Sequence, residues 1–289
     1  MQQAREKILK IVFLLCACAC ILALLLICVF LFAGGLPAIG EIGVTNFLLG
    51  KEWRPGNNIY GILPMILGSI YITAGAVLLG VPVGLLAAVY LAKFCPKRVH
   101  RVLGPMVELL AGIPSVVYGF FGLVVLVPAS RKLFGEILGF RGNGSSILTA
   151  SVLLGIMILP TIITVSESAI RAVPENYYEG GLALGATHER SVFFVTLPAA
   201  KSGIWAGVVL GIGRAIGETM AVVMVAGNQA RMPAGLLMGI RTLTANVVIE
   251  MGYAADLHRE ALIATGVVLF VFILLINLLL SLLRRRSAQ

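Results

Sequence analysis

Arg214 and Glu218 stand in a stretch, 204–227, that otherwise holds no charge. A cation at the centre of an apolar span costs roughly 2.5–3.5 kcal/mol on insertion scales, so it needs a physical reason to be there. A guanidinium stays ionised at every relevant pH, and its planar fork of donors fits a tetrahedral oxyanion bidentately. At i and i+4 of a helix the two residues share one face. They are then either a structural ion pair, in the poorer basic-then-acidic order, or the lining of a water-filled path that guides an anion. A carboxylate repels anions unless the anion carries a proton, because it can accept a hydrogen bond from a P–OH group. Phosphate offers that donor at neutral pH and sulfate does not. On the path reading Arg214 attracts the anion and Glu218 selects it.

The other unusual order of residue types is at 179–198, EGGLALGATHERSVFFVTLP. Just before it, Ala172-Val173-Pro174-Glu175 looks like a helix start, with proline at the first helical position and Glu175 and Glu179 suiting the positive end of the dipole. Gly180 and Gly181 permit another surface to come close, and Gly185 can take the angles of a sharp turn before a second short helix. Val192, Phe193 and Phe194 lead into Leu197-Pro198 and a re-entry into apolar sequence. A stiff knuckle is expected here, in preference to an amphipathic loop lying flat on lipid. Pro114, with small neighbours, and Pro160 fall inside apolar runs. A proline there frees a backbone carbonyl, which must find a partner or face water, so the path could include the Ser115 hydroxyl.

The elements that must position these residues are membrane helices. Fifty-nine percent of the 289 residues are apolar and only 12% charged, outside the range of a soluble domain. Six runs, 11–33, 66–92, 109–127, 147–165, 204–227 and 261–283, are each long enough to cross a bilayer core. In lipid they must be helices, which gives an all-α polytopic fold. The first run is too long for a signal-peptide core and is expected to stay. The net charge of +9 does not mark a nucleic-acid binder, because the basic residues cluster between apolar runs. Thirteen Lys and Arg fall at the N-terminus (Arg5, Lys7, Lys10), after run two (Lys93, Lys97, Arg98, Arg101), after run four (Arg171, Arg190, Lys201) and in the tail (Arg284, Arg285, Arg286). Eight fall in the alternate loops (Lys51, Arg54, Arg131, Lys132, Arg141, Arg231, Arg241, Arg259). This bias places both termini and the 179–198 segment in the cytoplasm.

The outer loops are punctuated by Arg54-Pro55-Gly56-Asn57-Asn58 and Gly142-Asn143-Gly144-Ser145-Ser146. The third, 228–260, carries enough apolar residues for a short helix packed on its neighbours. Four of five cysteines (Cys16, Cys18, Cys20, Cys28) lie in the first run without ligand spacing, so no metal site is expected. His100, His188 and His258 are scattered outside the runs, and no nucleophile–base pair or paired carboxylates stand out. Lys201-Ser202 fails as a phosphate loop because Val195 and Ala200 stand where glycines are needed.

The 179–198 segment resembles the E-A-A-x3-G-x9-I-x-L-P loop of ABC importer permeases. Glu179, Gly180, Gly181, Gly185, Val195, Leu197 and Pro198 hold its positions, with glycine for both alanines and valine for isoleucine. Residues 113–119 (IPSVVYG), 214–222 (RAIGETMAV) and Gly227-Asn228 resemble the permeases of high-affinity phosphate importers, PstC type, over roughly residues 60–285. The sister permeases read Ala-Pro-Leu where this chain has Met220-Ala221-Val222.

The resemblance implies a type I ABC importer permease fold. It divides the chain into a first helix and outer loop (1–65) and a transmembrane core (66–285) with a coupling loop at about 172–200. Glu179, Gly180, Gly181, Gly185, Leu197 and Pro198 would dock an ATPase, and Arg214, Glu218, Thr219, Ser115, Tyr118 and Asn228 would line the path. The chain would sit in the bacterial inner membrane, in lipid. Its expected partners are a sister permease in a heterodimer, two ATPase subunits that bind ATP and Mg, and an extracytoplasmic phosphate-binding protein. It would be no enzyme and hold no cofactor itself. Rivals are an importer of molybdate or sulfate on the same architecture, and an ATP-independent carrier.

Overall fold

A computed structural model describes residues 2–137, 139 and 142–287, most of them helical. Arg141 of the basic-residue count lies outside the described residues, as do the side chains of Lys7, Arg284, Arg285 and Arg286. Helix α1 (Gln2–Ile42) turns through Gly43 into α2 (Val44–Leu49). A small hairpin follows, β1 (Trp53–Arg54) antiparallel to β2 (Ile59–Tyr60), with Trp53 opposite Tyr60. Its turn is the Pro55–Asn57 segment expected from the sequence, closed by Asn58 in the left-handed region at φ 55°. Next come α3 (Leu63–Val89), α4 (Lys97–Gly112), α5 (Ser115–Phe121), α6 (Val127–Ser130) and α7 (Ile147–Arg171). Then α8 (Glu175–Ala183), α9 (His188–Ser191), α10 (Leu197–Gly217), α11 (Met220–Val225), α12 (Leu243–Glu250) and α13 (Asp256–Ser287) complete the chain.

Among the described residues, six stretches are long and apolar enough to cross a membrane: Leu9–Ile42, Leu63–Phe94, Ser115–Gly135, Ile147–Arg171, His188–Gly217 and Asp256–Leu282. Each expected run has its counterpart, and two have moved. The third starts at Ser115, not at 109, because α4 ends at Gly112 and Ile113-Pro114 are extended. Pro114 is therefore the N-cap of α5 and not a kink inside a helix, since the residue before a proline is pushed out of the helical region. The fifth begins sixteen residues before its expected start at 204 and stops at Gly217, because Glu218 is extended at φ −69°, ψ 128°.

Prolines also shape the helices that continue through them. π-helical turns at Gly122–Leu126 and Val192–Thr196 each end two residues before a proline, Pro128 and Pro198, in a helix that continues. A proline ring has no N–H and collides with the carbonyl four residues back, and a locally widened turn relieves that collision. Pro160 lies inside α7, as expected, and is buried.

α7 is the axis of the core, with Leu153, Leu154, Met157, Ile158 and Ile162 almost wholly buried. Glycines bring its neighbours close. On α3, an added Cβ at Gly80 would meet the Gly155 carbonyl at 2.9 Å and one at Gly84 would meet Ile162 at 2.9 Å, so α3 runs parallel to α7. On α10, Gly207 lies against Ser166 and Gly211 against Ile162, which sets α10 antiparallel. Lipid offers no hydrophobic drive between helices, so such close backbone contact supplies van der Waals attraction instead. α1 and α13 pair at the side through Gly35 against Ala264 and Val267 and through an edge-on Phe32–Phe270 contact at 6.2 Å.

Candidate functional site

Arg214 lies one turn from the end of α10 and is half-buried. Its Nη1 donates to Thr161 Oγ1 on α7 at 3.3 Å. Among the described residues it forms no ion pair with Glu218, because α10 ends between them and the i, i+4 geometry is lost. The structural-pair reading thus fails.

Glu218 instead caps the next helix. Its Oε1 accepts from the Ala221 N–H at 3.1 Å, and its backbone carbonyl accepts from the Thr244 hydroxyl at 3.2 Å. Thr219 donates to the Gly217 carbonyl at 3.2 Å. Leu243 N–H donates to Ser69 Oγ at 3.0 Å, so the start of α12 is tied both to α3 and to the break after α10.

The break before α5 faces this one. Ser115, the first residue of α5, is half-buried. Tyr118 is buried, and its hydroxyl donates to the Leu110 carbonyl at 2.9 Å, which clips the end of α4 to α5. α11 packs on α5 at Gly119, where an added Cβ would meet the Ala221 Cα at 2.9 Å, and at Gly122 against Val225. Two interrupted helices therefore lie side by side with Arg214 below them. Irregular backbone at membrane depth is tolerated only inside protein or along water.

Asn228 is the last of the expected path residues. It sits beyond α11 at φ 52°, donates to the Val223 carbonyl at 2.7 Å, and its own carbonyl accepts from Arg241 Nε at 3.1 Å.

The segment between α7 and α10 is the knuckle the glycines suggest. α8 and α9 fold back on each other around Gly185, at φ 84°. Pro174 is the N-cap rather than the first helical residue, and Glu175 occupies the first turn. Gly181 is the contact between the two helices, since an added Cβ would come within 2.6 Å of Ser191 Oγ, whereas Gly180 and Gly185 face open space. Glu179, Gly180 and Pro198 are exposed, Leu197 is partly so, and Leu184 at the tip is 92% exposed.

The knuckle is tied to the bundle. Lys93 pairs with Glu175 at 3.3 Å and sits 5.3 Å over the Tyr178 ring, Tyr178 and His188 share a hydrogen bond at 2.7 Å, and Phe94 packs edge-on to His188 at 4.8 Å. Nearby, Glu167 accepts from Arg171 at 2.8 Å and pairs with His100 at 2.7 Å.

One polar cluster escaped the sequence reading. On the hairpin end, Glu250 at the close of α12 accepts from Trp53 Nε1 at 2.8 Å, pairs with His258 at 2.8 Å, and accepts from Arg241, which also donates to Asn246 Oδ1 at 2.9 Å. Burial pushes the Glu250 carboxyl up, but the hydrogen bonds from Trp53, Arg241 and His258 and the Arg241 charge outweigh it and hold the group below the ordinary carboxylate range. Periodicity reveals none of this, because Trp53 is 197 residues from Glu250 in the chain. The three histidines, read as scattered, are each tied in, to Glu167, Tyr178 and Glu250.

A bundle of six spans with an α-helical knuckle between the fourth and fifth is the architecture of ABC importer permeases. It superposes on a subunit of the inward-facing MetNI methionine ABC transporter at a TM-score of 0.62 with 20% identity, covering 82% of this chain and 100% of that one. A bacterial alginate ABC transporter, solved with a pentasaccharide-bound periplasmic protein, matches at 0.64 with 17% identity over 93% and 95%. These likenesses establish the fold.

The chain belongs to the family of binding-protein-dependent transport system inner membrane components, whose model matches residues 80–289. It is thus a multi-pass membrane protein and a transport permease. Among its relatives are the probable ABC transporter permease protein YqgH of Bacillus subtilis (38% identity, 92% of this chain and 88% of that one) and the phosphate transport system permease protein PstC of Mesorhizobium japonicum (37% identity, 86% and 81%).

Proposed function

We propose that this chain is a permease subunit of an ATP-driven importer of inorganic phosphate, forming half of the translocation path beside a homologous sister permease. The observation that carries the reading is Arg214, a guanidinium held between membrane helices with one hydrogen bond and no counter-ion among the described residues. Five N–H groups on a side chain that makes one contact leave an unsatisfied cationic edge, and a tetrahedral oxyanion matches it. The PstC-named relatives at 35–37% identity support phosphate as that anion.

ATP and Mg belong to two ATPase subunits, which grip the exposed edge of the knuckle at Glu179, Gly180, Gly185 and Leu184. A binding protein delivers phosphate at the hairpin end, where a cavity of 790 Å³ opens among Glu41, Lys51, Glu52, Asn58 and Tyr60. On this reading both termini and the knuckle are cytoplasmic. ATP binding opens the path outward, and hydrolysis with reset releases phosphate inward.

Glu218 selects protonated phosphate through its second carboxylate oxygen, since the first is engaged with Ala221. The test is uptake of labelled phosphate into vesicles carrying the whole complex, with and without ATP on the ATPase side, against excess sulfate or molybdate. Phosphate uptake that needs ATP and resists both competitors is expected. Efficient competition would move the chain to another oxyanion, and uptake without ATP would make it a carrier.

A further inference from the structure

Threonines inside helices usually turn the hydroxyl back onto the carbonyl four residues earlier. Thr265 on α13 does so, donating to the Ala261 carbonyl at 2.9 Å. Thr161 on α7 does not. Its hydroxyl accepts from Arg214 Nη1 at 3.3 Å, and this is the one hydrogen bond either side chain makes among the described residues. A hydroxyl that accepts still holds a hydrogen to donate, and a guanidinium with one N–H engaged keeps four. Both side chains are half-buried, so their remaining donors share one partly open space between α7 and α10.

We infer that Thr161 is a second oxyanion-binding residue of the path. Its hydroxyl holds Arg214 Nη1 in place and donates its own hydrogen to an oxygen of the anion that the rest of the guanidinium grips. This rests on the reading of Arg214 as the anion's charge partner. Anion binding is thereby divided between two helices, and these are the two that the knuckle joins: α7 runs into α8, and α9 runs into α10. Ser166 and Ile162 of α7 seat against Gly207 and Gly211 of α10, so the two helices touch closely along this face, where small shear displacements are the ordinary motion of packed helices. A push on the knuckle that shifts α10 along α7 separates Arg214 from Thr161 and opens the clasp. Work done on the exposed tip is thus converted into a change in anion affinity.

The test uses the chain assembled with its ATPase, sister permease and binding protein in proteoliposomes, reading labelled phosphate taken up per ATP hydrolysed. Thr161→Val, which keeps the shape and removes the hydroxyl, is expected to lower that ratio about tenfold or more while ATP hydrolysis changes less than about twofold. Thr161→Ser is expected to restore it. Wild-type coupling in Thr161→Val overturns the inference, as does equal loss in the Val and Ser variants, which would mark a packing role for the methyl group. If Thr161→Val does not assemble, Thr161→Ala is read the same way, and failure of both to assemble while Ser succeeds also overturns it. Arg214→Gln separates the two readings. If that variant fails and Thr161→Val transports normally, only Thr161 is excluded; if Arg214→Gln transports normally, the anion path itself is wrong.

Discussion

Arg241 and Arg214 are both partly buried arginines, and they are used in opposite ways. Arg241 commits its donors to the Asn228 carbonyl, to Asn246 and to Glu250, which in turn is held by Trp53 and His258. Arg214 commits one donor, to a neutral hydroxyl. A buried charge held by a carboxylate and two further acceptors is a fastener, because removing either side strands the other in a medium that solvates it poorly. A charge with free donors in a membrane span has no structural return to offset its insertion cost, which is why we propose that it serves something arriving from outside. The pairing state of a buried arginine, rather than its depth, separates the clamp from the proposed site.

That contrast can be broken most directly by exchanging each arginine for glutamine. Arg214→Gln is expected to lower ATP-dependent phosphate uptake by about a hundredfold or more, the loss of a charge-assisted contact and its steering, with the thermal melting point of the purified chain little changed. Arg241→Gln is expected to do the reverse, costing about 3 kcal/mol of stability and lowering the amount of folded protein, with near-normal transport per assembled complex. Equal stability losses in the two variants would erase the distinction.

The knuckle offers a similar pair. Gly181 packs against Ser191 and Gly180 faces open space. Gly181→Val should loosen the α8–α9 fold, whereas a bulky residue at Gly180, a charged residue at Gly185, or Glu179→Lys should leave the fold in place and uncouple ATP hydrolysis from uptake. At Gly185 the left-handed backbone adds about 1–2 kcal/mol of local strain for any other residue. Hydrolysis and uptake measured side by side would expose a failure of this division.

A third test follows from pH. The Glu250 carboxyl is depressed in the folded chain, so its stabilisation is present above the unfolded value near 4.5 and is lost as pH falls through the lower folded value. Melting temperature should therefore decline as pH drops below about 4.5, and Glu250→Gln should flatten part of that decline. The smallest effect is expected of Trp53→Phe, which keeps one six-membered ring but removes the pyrrole half of the indole with its hydrogen bond to a charged group, a bond worth about 1.5–3 kcal/mol. It should leave transport unchanged.

The amino-acid order alone determined that the chain is six membrane helices with a helical knuckle between the fourth and fifth. Long apolar runs, glycines at a turn and a proline at a helix start act locally, and lipid leaves a spanning segment no other way to satisfy its backbone. It also singled out Arg214, because a cation in an apolar run is conspicuous wherever it points. It misplaced the ends of the third and fifth spans, since hydropathy does not record that Ile113-Pro114 and Glu218-Thr219 break the helix while staying inside the bundle. It set Arg214 and Glu218 on one helical face, whereas the helix ends between them and Glu218 caps α11. Only the tertiary structure decided that Arg214 meets Thr161, 53 residues away, and that Arg241, Glu250, His258 and Trp53 converge. Helical period reaches about four residues and says nothing of which helices pack together, and polar side chains on separate helices find one another only when packing brings them within about 3 Å.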